Sequence, residues 1–214
     1  MLIRTPSDPR FGYVLGHGAG AGMRHPFLES IAEALFERGI ATLRYEFPYM
    51  EEHRNRPDSP AVCATAIRKA VQQARTEWPG LPLIAGGKSF GGRMTSTAQA
   101  EAPLEGVRGI AFFGFPLHAP GKPGTERAEH LSKCSIPLLF LQGSRDEFAR
   151  LDLITTVCEQ LGPRATLHVV EGGDHSFKVA KSTGRGPAEI MAELADQIFE
   201  WGTPVTAETQ RPHA

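Results

Sequence analysis

Cysteine is scarce in this chain, and the few cysteines are scattered. Cys63, Cys134 and Cys158 form neither a framework of paired spacings nor a metal-ligand motif. A disulfide-stabilised secreted fold and a zinc module are therefore excluded as the basis of the structure, and we expect no metal and no other cofactor. The first residues, Met1 to Pro6, lack the apolar core of a secretory signal. The simplest expectation is a protein of the reducing cytoplasm.

Net charge and long apolar runs are lacking as well. The formal net charge is -1 in 214 residues, so we expect no global attraction to nucleic acid or to an anionic membrane. No stretch approaches the roughly 18 uninterrupted apolar residues of a membrane-spanning helix. The hydrophobic content of 41% is enough for one sizeable core. We predict a single domain over 1–202 with a disordered tail at 203–214, in a monomer or homodimer that binds neither nucleic acid nor membrane.

Apolar segments of strand character alternate along the chain with segments of helical spacing. Strands are predicted at 11–18, 41–47, 81–85, 107–115, 137–143 and 166–171, with a further short one left open at 2–5. Helices are predicted at 23–38, 61–78, 90–101, 151–161 and 187–201. This alternation is typical of the α/β class, a mostly parallel sheet of six to seven strands with helices on both faces. Three irregular segments follow strands, at the sheet edge where ligands bind in such folds: 48–60, 117–136 and 177–186.

The most informative motif is the pentapeptide Gly87-Lys88-Ser89-Phe90-Gly91, of the form G-x-S-x-G. In this motif a serine occupies a sharp turn between a strand and a helix, and glycines flank it because side chains there would clash. The pattern alone is weak, but the predicted strand before it and helix after it supply the required context. A P-loop interpretation fails because Pro82 stands where the first glycine would be, and proline offers no N–H to a phosphate. We therefore predict that Ser89 is a nucleophile.

A serine nucleophile needs a base, a group that orients the base, and donors for the oxyanion that forms on attack. In hydrolases with this motif the acid and then the histidine follow the serine, in loops after later strands. Asp146 follows the predicted strand 137–143, and His175 follows the last predicted strand. These two residues are the predicted partners of Ser89, with Glu147 and Asp174 as alternative acids.

The glycine-rich segment from His17 to Met23 directly follows the first long strand and lets the backbone approach a substrate. We predict an oxyanion hole formed by the backbone N–H groups of Ala19 and Phe90, with Gly20 as the next choice for the first donor. Four residues are further predicted to contact the substrate: His17, Gly20, Lys88 and His118.

Two other interpretations concern the same segments. Gly16 to Ala21 also fits the dinucleotide-binding pattern G-x-G-x-x-A, with Glu46 in range of a ribose hydroxyl, but this motif leaves the serine, acid and histidine unexplained. Basic residues near the predicted site favour either an anionic substrate or an ordinary solvated face. They are Arg54, Arg56, Lys88, Arg93, Lys178, Lys181 and Arg185.

With these residues assembled, the chain resembles the α/β-hydrolase superfamily. Within it, the chain is similar to a small subgroup related to testis-expressed protein 30 and to the hydrolase-like domain of KAT8 regulatory NSL complex subunit 3. The matching strings are Gly16–Met23, Gly87–Met94, Phe115–His118, Gln142–Asp146 and Gly172–Phe177. The resemblance implies an α/β-hydrolase fold with Ser89, Asp146 and His175 as the triad, and it implies no particular substrate. Only 117–136 stands where a cap usually enters, so we expect a minimal cap and an open site.

The predicted activity is hydrolysis of a small-molecule acyl substrate through a Ser-His-Asp acyl-enzyme mechanism. Esters or thioesters are preferred over amides by analogy with the usual chemistry of the fold. The alternative is a non-catalytic protein-interaction module that keeps the same fold. The intact set of serine, aspartate and histidine argues against this alternative.

Overall fold

A seven-stranded, mostly parallel sheet forms the centre of the protein in a computed structural model, which describes residues 1–207. The strands are β1 (Leu2–Arg4), β2 (Phe11–Gly16), β3 (Ile40–Tyr45), β4 (Leu83–Lys88), β5 (Val107–Phe113), β6 (Leu138–Gly143) and β7 (Ala165–Val170). Their order in the sheet is β1-β3-β2-β4-β5-β6-β7. Only β1 runs antiparallel to its neighbour, β3. The carboxyl ends of the other six strands therefore meet at one edge.

Within residues 1–207, six α-helices flank the sheet. They are α1 (Pro26–Phe36), α2 (Pro48–Glu51), α3 (Pro60–Glu77), α4 (Phe90–Glu101), α5 (Leu151–Leu161) and α6 (Pro187–Ala207). The predicted α/β fold of six to seven strands is confirmed, and the short strand left open near the N-terminus is β1. Sequence reasoning missed α2, which lies in a segment predicted as irregular. Between β5 and β6 the only helix is a 3-10 helix, Glu126–Lys133, where a larger cap would stand.

The near-continuous apolar strands arise because both faces of the sheet are buried. Along β2, Tyr13 packs on one face against α1 and α6, and the next residue, Val14, packs on the other face against α3 and α4. All six residues of β2 are buried, as are all six of β6. A third apolar cluster joins β5 and β6 to α5 and to the 3-10 helix 126–133. This packing fixes the strand ends from which the functional loops emerge.

The last helix runs further than the sequence indicates. Gly202, Thr203 and Pro204 predict a helix end, yet α6 continues to Ala207, inside the predicted disordered tail. The helix is held there because Trp201 and Val205 both pack onto Gly109 of β5, where a Cβ would come within 2.6 Å and 3.0 Å of their side chains. The remainder of the predicted tail, 208–214, lies outside the described residues.

The three cysteines are free thiols in the interior. Burial raises the pKa of Cys63 and Cys134 to about 11 and that of Cys158 to about 12, so the reactive thiolate form is disfavoured at neutral pH. Between residues 1 and 207 no cluster of side chains fits a metal ion. Over the same range, no helix combines the length and apolar character needed to cross a membrane.

His130 on the 3-10 helix is expected to make the fold sensitive to acid. Burial lowers the pKa of its ring to about 4, helped by the charge of Arg93, while Ser96 Oγ lies 2.7 Å from its Nε2. As pH falls from about 6.5, the unfolded chain takes up a proton that the native ring resists until about pH 4, so stability is lost across that window. Between pH 7 and pH 4 we expect the free energy of unfolding of wild type to fall by about 1–2 kcal/mol more than that of His130→Gln. This value is reduced because the ring is partly exposed to solvent. Urea unfolding at pH 7 and pH 4 measures this, and equal losses would contradict it.

Candidate active site

Ser89 lies on the sharp turn between β4 and α4. Its backbone has φ 48° and ψ -114°, a conformation that costs energy for any residue with a Cβ. The turn is anchored by a hydrogen bond of 3.0 Å from the Ser89 N–H to the carbonyl oxygen of Phe113 on β5. The hydroxyl is thereby presented at the carboxyl edge of the sheet, beyond the end of β4.

The glycines of the motif are required by close approach of the backbone. A Cβ at Gly91 would come within 2.6 Å of the carbonyl oxygen of His17, and a Cβ at Gly87 within 2.7 Å of the backbone nitrogen of Gly16. Real Cβ atoms do not approach other atoms this closely. The turn at Ser89 and the glycine-rich loop after β2 therefore pack backbone against backbone. This packing brings the glycine-rich loop after β2 beside Ser89.

The structure brings Ser89, His175 and Asp146 together in one hydrogen-bonded chain. His175 Nε2 lies 2.8 Å from Ser89 Oγ, and His175 Nδ1 lies 2.7 Å from Asp146 Oδ2. The Asp146 side chain is fully buried, whereas 17% of the His175 side chain is exposed. An imidazole in this position can accept a proton from the serine while the carboxylate fixes the ring tautomer.

Asp146 and His175 come from separate loops that are joined by their own contacts. The N–H of Arg145 donates to Gly173 O at 2.8 Å, and the N–H of Gly172 donates to Ser144 Oγ at 2.8 Å. A Cβ at Gly143 would come within 2.6 Å of Asp174 O, so glycine permits the loops after β6 and β7 to touch. The acid and the base are therefore fixed relative to each other by backbone packing.

Sequence reasoning missed two residues that hold this pair. Gln142, at the end of β6, donates through Nε2 to Asp146 Oδ2 and accepts the Phe115 N–H through Oε1 at 3.0 Å. The Phe148 ring packs on the His175 ring with centroids 4.4 Å apart, and its N–H donates to Asp146 Oδ1 at 2.8 Å. The available signal for Gln142 was a polar residue directly after the apolar run Leu138–Leu141, and the structure buries its side chain fully. No comparable signal marks Phe148.

The alternative acids occupy other positions. Glu147 is exposed and makes no hydrogen bond to His175. Asp174 Oδ1 accepts the N–H groups of Ser176 at 2.8 Å and Lys178 at 2.9 Å, which shapes the loop that carries His175. Geometry therefore favours Asp146 among the three carboxylates.

The predicted oxyanion donors have free N–H groups. Among residues 1–207, neither the Ala19 N–H nor the Phe90 N–H has an acceptor, and Phe90 stands at the first position of α4, where helix amides are unpaired. The Gly20 N–H instead donates to Tyr49 Oη at 3.0 Å, which favours Ala19 over Gly20 as the donor from the first loop.

His17 and His118 lie in the interior near the same edge. The Phe47 N–H donates to His17 Nε2 at 3.1 Å, and Nδ1 lies 2.8 Å from Gly18 O. His118 is held in the same way, since its Nε2 accepts the Arg150 N–H at 3.0 Å and its Nδ1 lies 2.9 Å from Ala119 O. Both rings are occupied in holding loops, and their predicted contact with substrate stays a prediction.

Glu46, the ribose ligand of the dinucleotide interpretation, holds the first loop too. Its Oε1 accepts the N–H of Met23 at 3.1 Å. Burial lowers the pKa of the His17 ring beside it, against the opposing effects of a hydrogen bond to Gly18 and the Glu46 charge. Glu46 and His17 thus brace the glycine-rich loop from behind.

Lys88 is half-buried beside the loop that carries His175. Its Nζ donates to the backbone oxygen of His175 at 2.5 Å and lies 5.8 Å and 5.5 Å from the ring centroids of Phe27 and Phe177. Burial lowers the pKa of its ammonium to about 8, although the charges of Asp146 and Asp174 oppose the shift. Gly114 leaves the room for this arrangement, since a Cβ there would come within 3.0 Å of Lys88 Nζ and 3.2 Å of His175 Nδ1.

Lys88→Met is expected to lower kcat by about 10- to 100-fold with little change in KM, because the His175 loop loses its anchor. The loss should be equal for a neutral and an anionic p-nitrophenyl ester if Lys88 acts through His175. Lys69→Met, an exposed lysine on α3, is the matched control and should be neutral. A loss confined to the anionic ester would instead support the predicted substrate contact of Lys88.

The fold is that of an α/β hydrolase, and Ser89, Asp146 and His175 lie together at the carboxyl edge of its sheet. The chain belongs to that family: a family described as "Alpha/beta hydrolase domain" matches residues 9–203. The narrower likeness to the testis-expressed protein 30 subgroup stays a prediction.

Solved structures with the same fold include several hydrolases. The dienelactone hydrolase of Anabaena variabilis is 22% identical, with TM-score 0.73 over 93% of this chain and 88% of that one. A serine hydrolase without lid from Xanthomonas campestris is 20% identical, with TM-score 0.72 over 93% and 87%. An α/β serine hydrolase homologue from Coxiella burnetii is 18% identical, with TM-score 0.72 over 93% and 89%. At these identities the similarity shows the fold alone.

Curated relatives carry a different description. Two putative phosphoribosyl transferases of Mycobacterium tuberculosis, from strains CDC 1551 / Oshkosh and ATCC 25618 / H37Rv, are each 27% identical over 201 residues. The match covers 92% of this chain and 42% of each relative. This chain therefore spans less than half the length of these relatives.

Proposed function

We propose that the protein is a serine hydrolase that cleaves carboxylic esters or thioesters. The observation that carries the proposal is the continuous hydrogen-bonded chain from Ser89 Oγ through the His175 ring to Asp146 Oδ2, at 2.8 Å and 2.7 Å. A hydroxyl, an imidazole and a buried carboxylate in this order are the groups required to activate a serine for attack on a carbonyl carbon.

The mechanism follows from the positions of these groups. Ser89 Oγ attacks the carbonyl carbon while His175 Nε2 takes the hydroxyl proton, and the resulting oxyanion accepts hydrogen bonds from the Ala19 and Phe90 N–H groups. His175 then returns the proton to the departing alcohol or thiol, leaving an acyl group on Ser89. Water then attacks the acyl carbon while His175 Nε2 takes its proton, and as the bond to Ser89 Oγ breaks, His175 gives that proton to Ser89 Oγ, so that the carboxylic acid leaves and the hydroxyl is restored. Asp146 orients the ring through its contact with His175 Nδ1.

The shape of the edge favours small acyl substrates reached directly from solvent. Between β5 and β6 the chain provides only the 3-10 helix 126–133, and the side chain of His175 remains partly exposed. A lid that would enclose a long lipid has no counterpart in 1–207. Esters and thioesters are chosen over amides because their leaving groups depart more readily, in line with the usual chemistry of the fold.

The transferase description of the mycobacterial relatives is not carried to this chain. The match covers only 42% of each of those proteins, so more than half of their sequence has no counterpart in this chain. A cytoplasmic location, and a monomer or homodimer, stay predictions.

A fluorophosphonate probe tests the proposal. We expect the folded protein to be labelled, with the adduct mapped by mass spectrometry to Ser89, and Ser89→Ala to remain unlabelled. Ser96→Ala is the matched control, because Ser96 lies on α4, directly after the turn at Ser89, but its hydroxyl contacts His130. The Ser96→Ala variant should be labelled as strongly as wild type. Folded protein that stays unlabelled would favour the non-catalytic module instead.

A further inference from the structure

A cavity of about 710 Å³ opens beside the loop that carries His175. It lies between the first turns of α1 and α6 and the segment 176–185. Its walls are largely apolar and are formed by Pro26, Phe27, Phe177, Val179, Ile190 and Met191. The volume falls in the range of small-molecule sites, about 300–1,000 Å³, and such sites combine apolar walls with a few polar groups.

The charged side chains that line this cavity are those of Lys and Arg residues, and all are positive. Lys178, Lys181 and Arg185 line it, and no aspartate or glutamate does. Arg185 is paired with Glu193, whereas Lys178 and Lys181 form no ion pair with any of residues 1–207. The first turns of α1 and α6 each hold one acidic residue, Glu29 and Glu189, and neither of these lines the cavity. An apolar interior beside uncompensated cations matches a ligand with an apolar body and an anionic group.

The chain holds one wall of the cavity in a strained conformation. Phe177 has φ 61°, in the left-handed region that a bulky residue rarely adopts. Its ring stacks on Phe27 with centroids 5.9 Å apart, and this pair contacts the Lys88 ammonium. Strain of this kind persists where the surrounding structure requires it and is concentrated at ligand sites. Phe27 and Phe177 therefore line the cavity and also contact Lys88, whose Nζ donates to the backbone oxygen of His175.

From these observations we infer that the cavity binds a small amphiphilic carboxylate, with its chain between Phe27, Ile190 and Met191 and its carboxylate near Lys178 and Lys181. This site is separate from the hydroxyl of Ser89, and ligand binding there does not require hydrolysis. A ligand in this cavity would contact the ring of Phe177, two residues after His175.

Binding is best measured in Ser89→Ala, which removes the proposed nucleophile and separates this inference from the proposed function. The probe is the fluorescent apolar anion 1-anilinonaphthalene-8-sulfonate, compared with N-phenyl-1-naphthylamine, which has the same rings without the sulfonate. We expect saturable binding of one anionic probe per chain and displacement by octanoate. Octan-1-ol should displace it about fivefold to tenfold less well, because it lacks the charge.

Two pairs of variants locate the site. The double variant Lys178→Ala with Lys181→Ala should lower the affinity for the anionic probe and for octanoate by about fivefold to tenfold. Its affinity for the neutral probe should be unchanged. The matched control is Lys122→Ala with Lys133→Ala, which removes the same charge from exposed positions elsewhere. Ser30→Trp places a large side chain at the cavity wall and should lower the affinity for both probes. Gln73→Trp, on an exposed face of α3, should change the affinity for neither.

Circular dichroism establishes that each variant is folded before binding is compared. Non-saturable probe binding, equal displacement by octanoate and octan-1-ol, or equal effects of the two lysine pairs would each overturn the inference. Retained binding in Ser30→Trp would do the same. None of these outcomes depends on whether the wild-type protein hydrolyses an ester.

Discussion

Replacing His175 by glutamine is expected to lower kcat on a p-nitrophenyl ester by at least about 10⁴-fold, with the fold retained. Glutamine fills similar space but cannot take the Ser89 proton, so the chain of hydrogen bonds from Ser89 to Asp146 loses its base. Ser89→Ala should cause a loss of the same size. Because the two residues act as one unit, the double variant should be no slower than either single variant.

Steady-state kinetics with purified variants measures this, and circular dichroism checks that they are folded. His53→Gln is the control, because His53 is an exposed histidine without a place in the site. Turnover of His175→Gln within about tenfold of wild type would contradict the proposed mechanism. Additive losses in the double variant would show that the residues act independently, contrary to the 2.8 Å contact between them.

Gly86→Ala is expected to destabilise the protein by more than about 4 kcal/mol. Gly86 lies inside β4 with φ 147°, a conformation open to glycine, and a Cβ there would overlap the carbonyl oxygen of Ala111 on β5. Backbone atoms of a central strand cannot move aside as a flexible side chain can. The sheet must separate locally or the chain must fail to fold.

Gly80→Ala is the matched control, since Gly80 also has a positive φ, 80°, but a Cβ there meets nothing within 4 Å. Its cost is the backbone strain alone, about 1–2 kcal/mol. Denaturant unfolding gives both values where the variants are soluble. A Gly86→Ala protein as stable as the Gly80→Ala protein would mean that β4 and β5 are less tightly joined than this sheet geometry requires.

The sequence was most informative where chemistry and chain order act together. Ser89, Asp146 and His175 could be selected because a strand-turn-helix motif and the order of later loops constrain them strongly. The parallel sheet was predictable as well, since burial on both faces leaves the apolar runs that mark β2 and β6.

What the sequence did not reveal depends on contacts between distant segments. The hydrogen bond from Lys88 to the backbone of His175 joins residues 87 positions apart, and no local pattern encodes it. Phe177 has a left-handed backbone that its residue type disfavours. The last turn of α6 is helical because Val205 reaches Gly109, against the local signal of Gly202 and Pro204. Tertiary packing overrides local preference in each case.

The distances along the chain within the triad have a consequence for folding. Ser89 and His175 are 86 positions apart, and Asp146 and His175 are 29 apart. They meet only when β4, β6 and β7 stand in register, and contacts so remote in sequence form late because long loops must close first. During refolding, turnover should therefore return with the slowest kinetic phase, after helical content has recovered. The proposed hydrolase activity would then report completion of the native state more faithfully than spectroscopic signals do.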